Sequence, residues 1–360
     1  MMGNFVKAFS LKHFLNIFIT IVYFFLSFSP FSLTANILES NNRLNNTSVN
    51  QSSIFKNFDV FANLIVWTAK EAGSDCWAEV IASDSLGISN NIQQVHFGWT
   101  PGFRVGGGYG KKHNHWDSQA YYTRFHTQGE DSISSGLGTV HSTFLGNFYV
   151  NNASGKGLSG PAYQKASIDW SIHFNMIDWE LGRKFWINKL LILHPFLGIK
   201  GGRIDQIIKS KWQNPDVPDA EFFRVGTEDI KNNYWGIGPR AGINTKWNLS
   251  NVRSQFYFFG DFSGAIMWGH WSFADIFQND RRQEVFVDLQ NISGGSSMMQ
   301  TFTGIGWDAN FDKNRYRFSI KLGYEMQFWL DQLQFYSFTG GRLVNELTLQ
   351  GGTLECYLDF

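Results

Sequence analysis

Ten ionisable side chains recur at alternate positions of segments that otherwise read apolar: Arg104, Asp169, His173, Arg240, Lys246, Asp261, Asp308, Arg317, Lys321 and Glu325. Mixed charges lining one shared interior can screen solutes by size and field, or they can neutralise one another as ion pairs that fill it. Catalysis is the other chemistry to weigh. His173 shares a strand face with Asp169, but four residues at ~3.3 Å each is too far for a direct hydrogen bond. Gly260-Asp-Phe-Ser-Gly264 has the wrong spacing for a nucleophile elbow. His113 and His115 supply two ligands where a metal site needs three or four. Gly106-Gly-Gly-Tyr-Gly110 is not followed by the helix whose N-terminus a phosphate loop needs. No enzyme, cofactor or metal is expected.

Strands must position these charges. Ala166–Met176 sets Ala166, Ile168, Trp170, Ile172, Phe174 and Met176 against Ser167, Asp169, Ser171, His173 and Asn175. Tyr316–Phe328 sets seven apolar residues against Arg317, Ser319, Lys321, Gly323, Glu325 and Gln327. That period of two is strand periodicity. Weaker alternation marks 58–69, 76–81, 95–105, 116–127, 139–150, 190–212, 235–247, 255–268, 299–307 and 347–360. In 190–212 the parity slips near Gly201-Gly202, where a bulge is expected. Residues 269–297 read as a long polar loop and 213–231 as a second, while 178–185 reads as a turn.

The 360 residues carry 30 basic and 30 acidic side chains. That balance gives bulk electrostatics no hold on nucleic acid. Aromatics make up 17% of the chain, yet mean hydropathy is only −0.21. An alternating membrane barrel has this signature, because each outward apolar residue is matched by an inward polar one. Residues 1–35 read as a removable signal, basic at Lys7, Lys12 and His13 and then apolar from Phe14 to Phe28. Residues 36–57 read as a polar leader and 58–360 as the barrel.

The clean segments reach the ~9–11 residues that cross a tilted bilayer span. A charge facing lipid would cost ~2–4 kcal/mol at the midplane, so the polar side of each strand is assigned to the interior. Leu354, Leu358 and the terminal Phe360 resemble the closing strand of bacterial outer-membrane β-barrels, in which the terminal aromatic belongs to the signal read by the assembly machinery. The expected fold is an antiparallel transmembrane β-barrel of about twelve strands, with ten as the second even count. If the chain ends in the periplasm, the turns at 248–251 and 312–315 lie inside and the two long loops outside. Cys76 and Cys356 then sit at opposite ends, beyond the ~7 Å limit for a disulfide.

More specific segments are Pro101-Gly-Phe-Arg-Val-Gly-Gly-Gly-Tyr109, Asp178-Trp-Glu-Leu-Gly-Arg-Lys-Phe185, His194-Pro-Phe-Leu-Gly198, Tyr234-Trp-Gly-Ile-Gly-Pro-Arg-Ala-Gly242 and Leu347-Thr-Leu-Gln350. With Trp116-Asp117 before Tyr122-Thr123, they resemble the Legionella major outer membrane protein family of pore-forming proteins. That resemblance implies passive diffusion of small hydrophilic solutes, with outer-membrane lipid and the barrel-assembly machinery as partners. Two matters stay open: whether the lumen conducts or is filled by ion pairs, and whether the protein self-associates or binds a host surface ligand. The alternative is a non-conducting structural or adhesive barrel acting through its outer loops.

Overall fold

A computed structural model describes residues 58–84, 87–111, 115–136, 138–145, 162–215, 223–249, 255–282, 284–311, 316–336 and 342–360. The signal and leader segments lie outside the described residues, as does the turn at 312–315. Among the described residues fifteen antiparallel strands form one sheet: β1 (Phe58–Glu71), β2 (Ala78–Asp84), β3 (Gly87–Gln93), β4 (His96–Phe97), β5 (Thr100–Lys111), β6 (Trp116–Ser134), β7 (Thr139–Ser142), β8 (Tyr163–Arg183), β9 (Phe185–Trp186), β10 (Leu191–Pro215), β11 (Val225–Asn248), β12 (Phe256–Asn279), β13 (Glu284–Phe311), β14 (Tyr316–Tyr336) and β15 (Arg342–Asp359). The ring runs β8-β10-β11-β12-β13-β14-β15-β1-β5-β6, and β6 closes it by pairing with β8.

Ten strands close the barrel, the second of the two expected counts. The segments at 76–81 and 139–150 account for the difference. β2 and β7, which fall in them, pair with each other, and β7 meets the ring at a single bridge from Val140 to Tyr163. With β3 they form a small sheet on the rim.

The ring strands are longer than a bilayer needs, and their chemistry changes part-way along. In β8 the even residues stay inside from Ala166 to Gly182. From Ala166 to Met176 those inward residues are apolar, and Ser167, Asp169, Ser171, His173 and Asn175 face out. From Ile177 onward Asp178 and Glu180 turn inward, while Ile177, Trp179 and Leu181 are exposed on the outside. In β11, Gly226, Ile230 and Tyr234 point in above Trp235; below it Trp235, Ile237 and Trp247 are exposed outward and Arg240 is buried. β10 makes the same exchange at Gly201-Gly202. Its pairing with β8 and β11 is continuous there, so the expected bulge is absent and only the chemistry of the two faces swaps.

An outward apolar belt belongs in hydrocarbon, and a polar outer wall over an apolar interior belongs in water. The inner half of the barrel therefore spans the membrane, and the outer half stands above it as a water-facing barrel with its own core. This corrects the loop assignments. Residues 269–279 and 284–297 are the upper parts of β12 and β13, and 178–183 is not a turn but the membrane part of β8. The pattern misleads because the inward positions, Trp271, Phe273, Phe277 and Val285, sit opposite polar residues rather than a lipid-facing stripe. A register shift between Trp271 and Phe273 blurs it further.

Candidate functional site

Inward residues of the membrane half form a charged layer that crosses the lumen. Arg104 of β5 donates from Nη2 to Glu325 Oε1 of β14 at 2.7 Å and from Nη1 to Oε2 at 3.2 Å, while its Nε donates to Thr123 Oγ1 at 3.0 Å. Such a two-pronged guanidinium–carboxylate pair is among the stronger charged contacts a protein makes. Arg240 of β11 donates to Asp178 Oδ1 at 2.9 Å and Glu180 Oε1 at 2.5 Å, both on β8, and to the Tyr121 hydroxyl on β6. The Tyr121 hydroxyl in turn donates to Glu180 at 2.6 Å. Lys200 Nζ reaches the two Asp178 oxygens at 3.0 and 2.9 Å, and Gln300 links Arg240 to Glu325. All these charges are nearly inaccessible to solvent. Their desolvation is offset because each is both paired and hydrogen-bonded.

A second cluster lies nearer the inner rim. Asp308 takes Lys246 and Arg317, and Lys321 lies 3.2 Å from Glu355 and 3.7 Å from Asp261. Between the two clusters is a cavity of about 340 Å³, walled by Phe61, Tyr121, Tyr257 and Phe259 as well as the charges. It reaches Asp117, which holds His194 at 2.8 Å and Lys184 at 3.2 Å beside the turn after β8.

Above the charged layer the lumen is filled. Trp67 and Trp329 form its floor, with Arg104 5.9 Å from the first ring and Lys200 5.7 Å from the second. Phe174 of β8 meets Trp329 of β14 edge-on at 5.7 Å between ring centroids, from the opposite wall. Gln206 of β10 donates to Glu71 of β1 at 3.0 Å and to Gln332 of β14 at 2.7 Å. Trp271 donates to the Gln332 carbonyl at 2.7 Å, and Asn232 to that of Gln334 at 2.7 Å. Trp77, Val95 and Phe97, from the segment between β1 and β5, join the same buried cluster from above.

Over residues 52–359 the sequence matches the family described as Legionella pneumophila major outer membrane protein precursor. The chain belongs to that family. A search of curated proteins returns no match. Among solved structures, the outer membrane protease OmpT from Escherichia coli superposes with a TM-score of 0.41 at 11% identity, covering 85% of this chain and 97% of the other. A major outer membrane protein from Thermus thermophilus gives 0.28 at 8%, covering 83% and 98%. The Pseudomonas putida toluene transporter TodX gives 0.25 at 8%, covering 84% and 90%. No activity is carried over from likenesses this distant.

In this family member, eight of the ten sequence-derived lumen residues point inward: Arg104, Arg240, Lys246, Asp261, Asp308, Arg317, Lys321 and Glu325. Asp169 and His173 do not. They lie on the water-facing outer wall above the apolar belt, where a polar outward face carries no lipid penalty. Asp169 accepts from Gln128 at 2.8 Å, and His173 stacks on His126 with 4.0 Å between ring centroids. Partial burial, and then His126, hold the His173 imidazole below the ordinary histidine range.

Asp178, Glu180, Lys200 and Tyr121 of the charged layer, and Glu355, Asp117 and His194 nearer the inner rim, are lumen residues that sequence reasoning missed. Ile177, Trp179 and Leu181 alternate with Asp178 and Glu180, and that alternation was the available signal. It runs in phase with the strand but in antiphase with the apolar stripe before it. Leu354 and Leu358 alternate on β15 with Thr353 and Glu355, which reach Glu325 and Lys321 inside the lumen, so both leucines fall on the outward face. Cys76 and Cys356 are both free thiols, one in a short 3-10 turn after β1 and the other near the inner end of β15.

Proposed function

We propose that this outer-membrane barrel is closed: its interior holds the wall together, and its function lies at the outer rim. The observation that carries the reading is the packing across the lumen, where Phe174 meets Trp329 and Gln206 bridges Glu71 and Gln332 from opposite walls. A diffusion pore needs a continuous wet path, and here solutes entering the inner cavity meet a layer of paired charges and then a packed aromatic core. The expected passage of small hydrophilic solutes loses support, and the alternative of a structural or adhesive surface barrel gains it. The mixed-charge lumen serves as a structural element, and no catalytic role is assigned to it.

The partners on this reading are outer-membrane lipid around the apolar belt, the assembly machinery at the closing strand, and a protein surface at the rim. The deciding experiment is planar-bilayer recording of the refolded mature chain, beside swelling of liposomes that contain it. Heat-modifiable mobility on a gel verifies that the barrel is folded. The expected outcome is a folded barrel without stable current steps and liposomes that stay closed to small sugars. Reproducible steps from the wild-type chain would overturn the reading and restore the diffusion pore.

A further inference from the structure

The rim sheet ends in an edge built to pair. Its strand order is β3-β2-β7-β8, and among the described residues no strand lies on the outer side of β3. Proteins normally blunt such an edge with a charge, a proline, a bulge or a very short strand. β3 uses none of these. Gly87-Ile-Ser-Asn-Asn-Ile-Gln93 is seven residues long, carries no charge and pairs with β2 without a register shift. The sheet's other end is the two-residue β4.

β3 also exposes the wrong chemistry for a free surface. Ile88 is 78% exposed and Ile92 54%, on a water-facing element where lipid does not explain them. They sit symmetrically about Asn90. If two such strands run antiparallel with Asn90 opposite Asn90, Ile88 of each faces Ile92 of the other, and Ser89 faces Asn91. A side-chain period of two puts all four isoleucines on one face. The pattern reads the same in both directions and opposes no like charges, which is what a two-fold, self-complementary contact requires.

We propose that the β3 edge docks a second copy of this chain, joining the two rim sheets through an antiparallel β3–β3 pair centred on Asn90. The proposal rests on the reading that the outer rim carries the function, yet its test does not use the lumen. A conducting barrel would remove that reading and leave the contact to be judged separately.

The test uses the full mature chain with Cys76→Ser and Cys356→Ser, refolded in detergent. Directly opposed residues of an antiparallel pair have Cα atoms ~4.5–5.5 Å apart, within reach of a disulfide. Under mild oxidation Asn90→Cys is expected to give a covalent dimer at least ten times faster than Thr227→Cys, an exposed control on the wall of β11. Ile88→Lys with Ile92→Lys, added to Asn90→Cys, is expected to abolish that dimer while heat-modifiable mobility persists. Equal rates for the two cysteine variants would overturn the proposal, as would cross-linking that survives the lysine pair. A monomer mass by light scattering at the concentration used for cross-linking would also overturn it, and is the result expected if another segment of the same molecule occupies the edge.

Discussion

The two halves of this barrel solve the same problem with opposite materials. In the inner half hydrocarbon outside demands apolar residues such as Ile177, Ile237 and Trp268, so the inward positions fall to Arg104, Asp178, Arg240 and Glu325. In the outer half water outside accepts Asp169, His173 and Lys231, so the inward positions are free for Trp170, Phe174, Trp271 and Trp329. The halves also treat buried acids differently. The charged layer pairs Asp178, Glu180 and Glu325 with cations. In the upper core Glu71 is held by an amide donor alone, and Asp275 has two carboxylate oxygens buried without a hydrogen-bond donor. Charge thus fills the lumen where the wall faces lipid, and ring packing fills it where the wall faces water.

The sharpest way to break this contrast is to remove one cation from the charged layer. Arg240→Ala should cost about 3 kcal/mol, because it leaves Glu180 with no cation and Asp178 with Lys200 alone in a dry interior. Urea unfolding in detergent micelles measures it. A loss under about 1 kcal/mol would mean that water reaches the layer freely.

The outer surface gives a matched pair. Ala241→Arg, midway between Trp235 and Trp247 on the outward face of β11, places a charge at the centre of the apolar belt and should lose about 3 kcal/mol. Thr227→Arg, fourteen residues earlier on the same face of the same strand, should stay within about 0.5 kcal/mol. Equal losses would erase the boundary between the halves.

A third prediction concerns pH. Burial, and then Glu228 and Asp229, push the Asp275 carboxyl up to about 9, and burial raises Glu71 well above the usual range against the opposing Gln206 bond. A carboxyl with a raised folded-state pKa binds its proton more tightly in the native barrel than in the unfolded chain. Its contribution to stability is therefore greatest near pH 4 and declines as pH rises toward 9. Between about pH 5 and pH 8 the wild-type protein should lose on the order of 4 kcal/mol through Asp275, one proton at about 1.4 kcal/mol per pH unit, and Asp275→Asn should flatten that slope. A wild-type profile that is level over this range would show that these acids are ionised and hydrated.

The smallest effect belongs to the outer wall. Removing an exposed charge there, as in Lys231→Ala, should change stability by less than about 0.5 kcal/mol.

The closed all-β fold and most of the charged lumen were legible because lipid is an unforgiving neighbour. Tyr316–Phe328 alternates cleanly over the whole membrane depth, and its inward Arg317, Lys321 and Glu325 stand where the alternation put them. The outer half was misread because one period of two serves both environments. Ala166–Met176 alternates as well as any membrane strand, yet its apolar stripe is a core. Alternation reveals that a strand has two faces but not which of them is wet. The first of the two expected strand counts ran two over for a related reason: β2 and β7 have strand composition, but pairing alone decides whether a strand joins a ring. The contacts from Arg240 to β8 and from Phe174 to β14 join residues 60 or more apart in the chain, and no local pattern encodes them.

The swap of inner and outer chemistry along each strand also fixes the height at which the molecule floats. Sinking by two residues, some ~7 Å along a strand, would drag Arg203, Asn233 and His270 into hydrocarbon. Rising by the same amount would lift Ile177 and Trp235 into water. Both displacements are uphill on most of the circumference at once, so the barrel carries its own waterline. The hairpin of β2 and β3 is then held at a set distance above the headgroups, where a neighbouring copy anchored by the same line would present its edge at the same level.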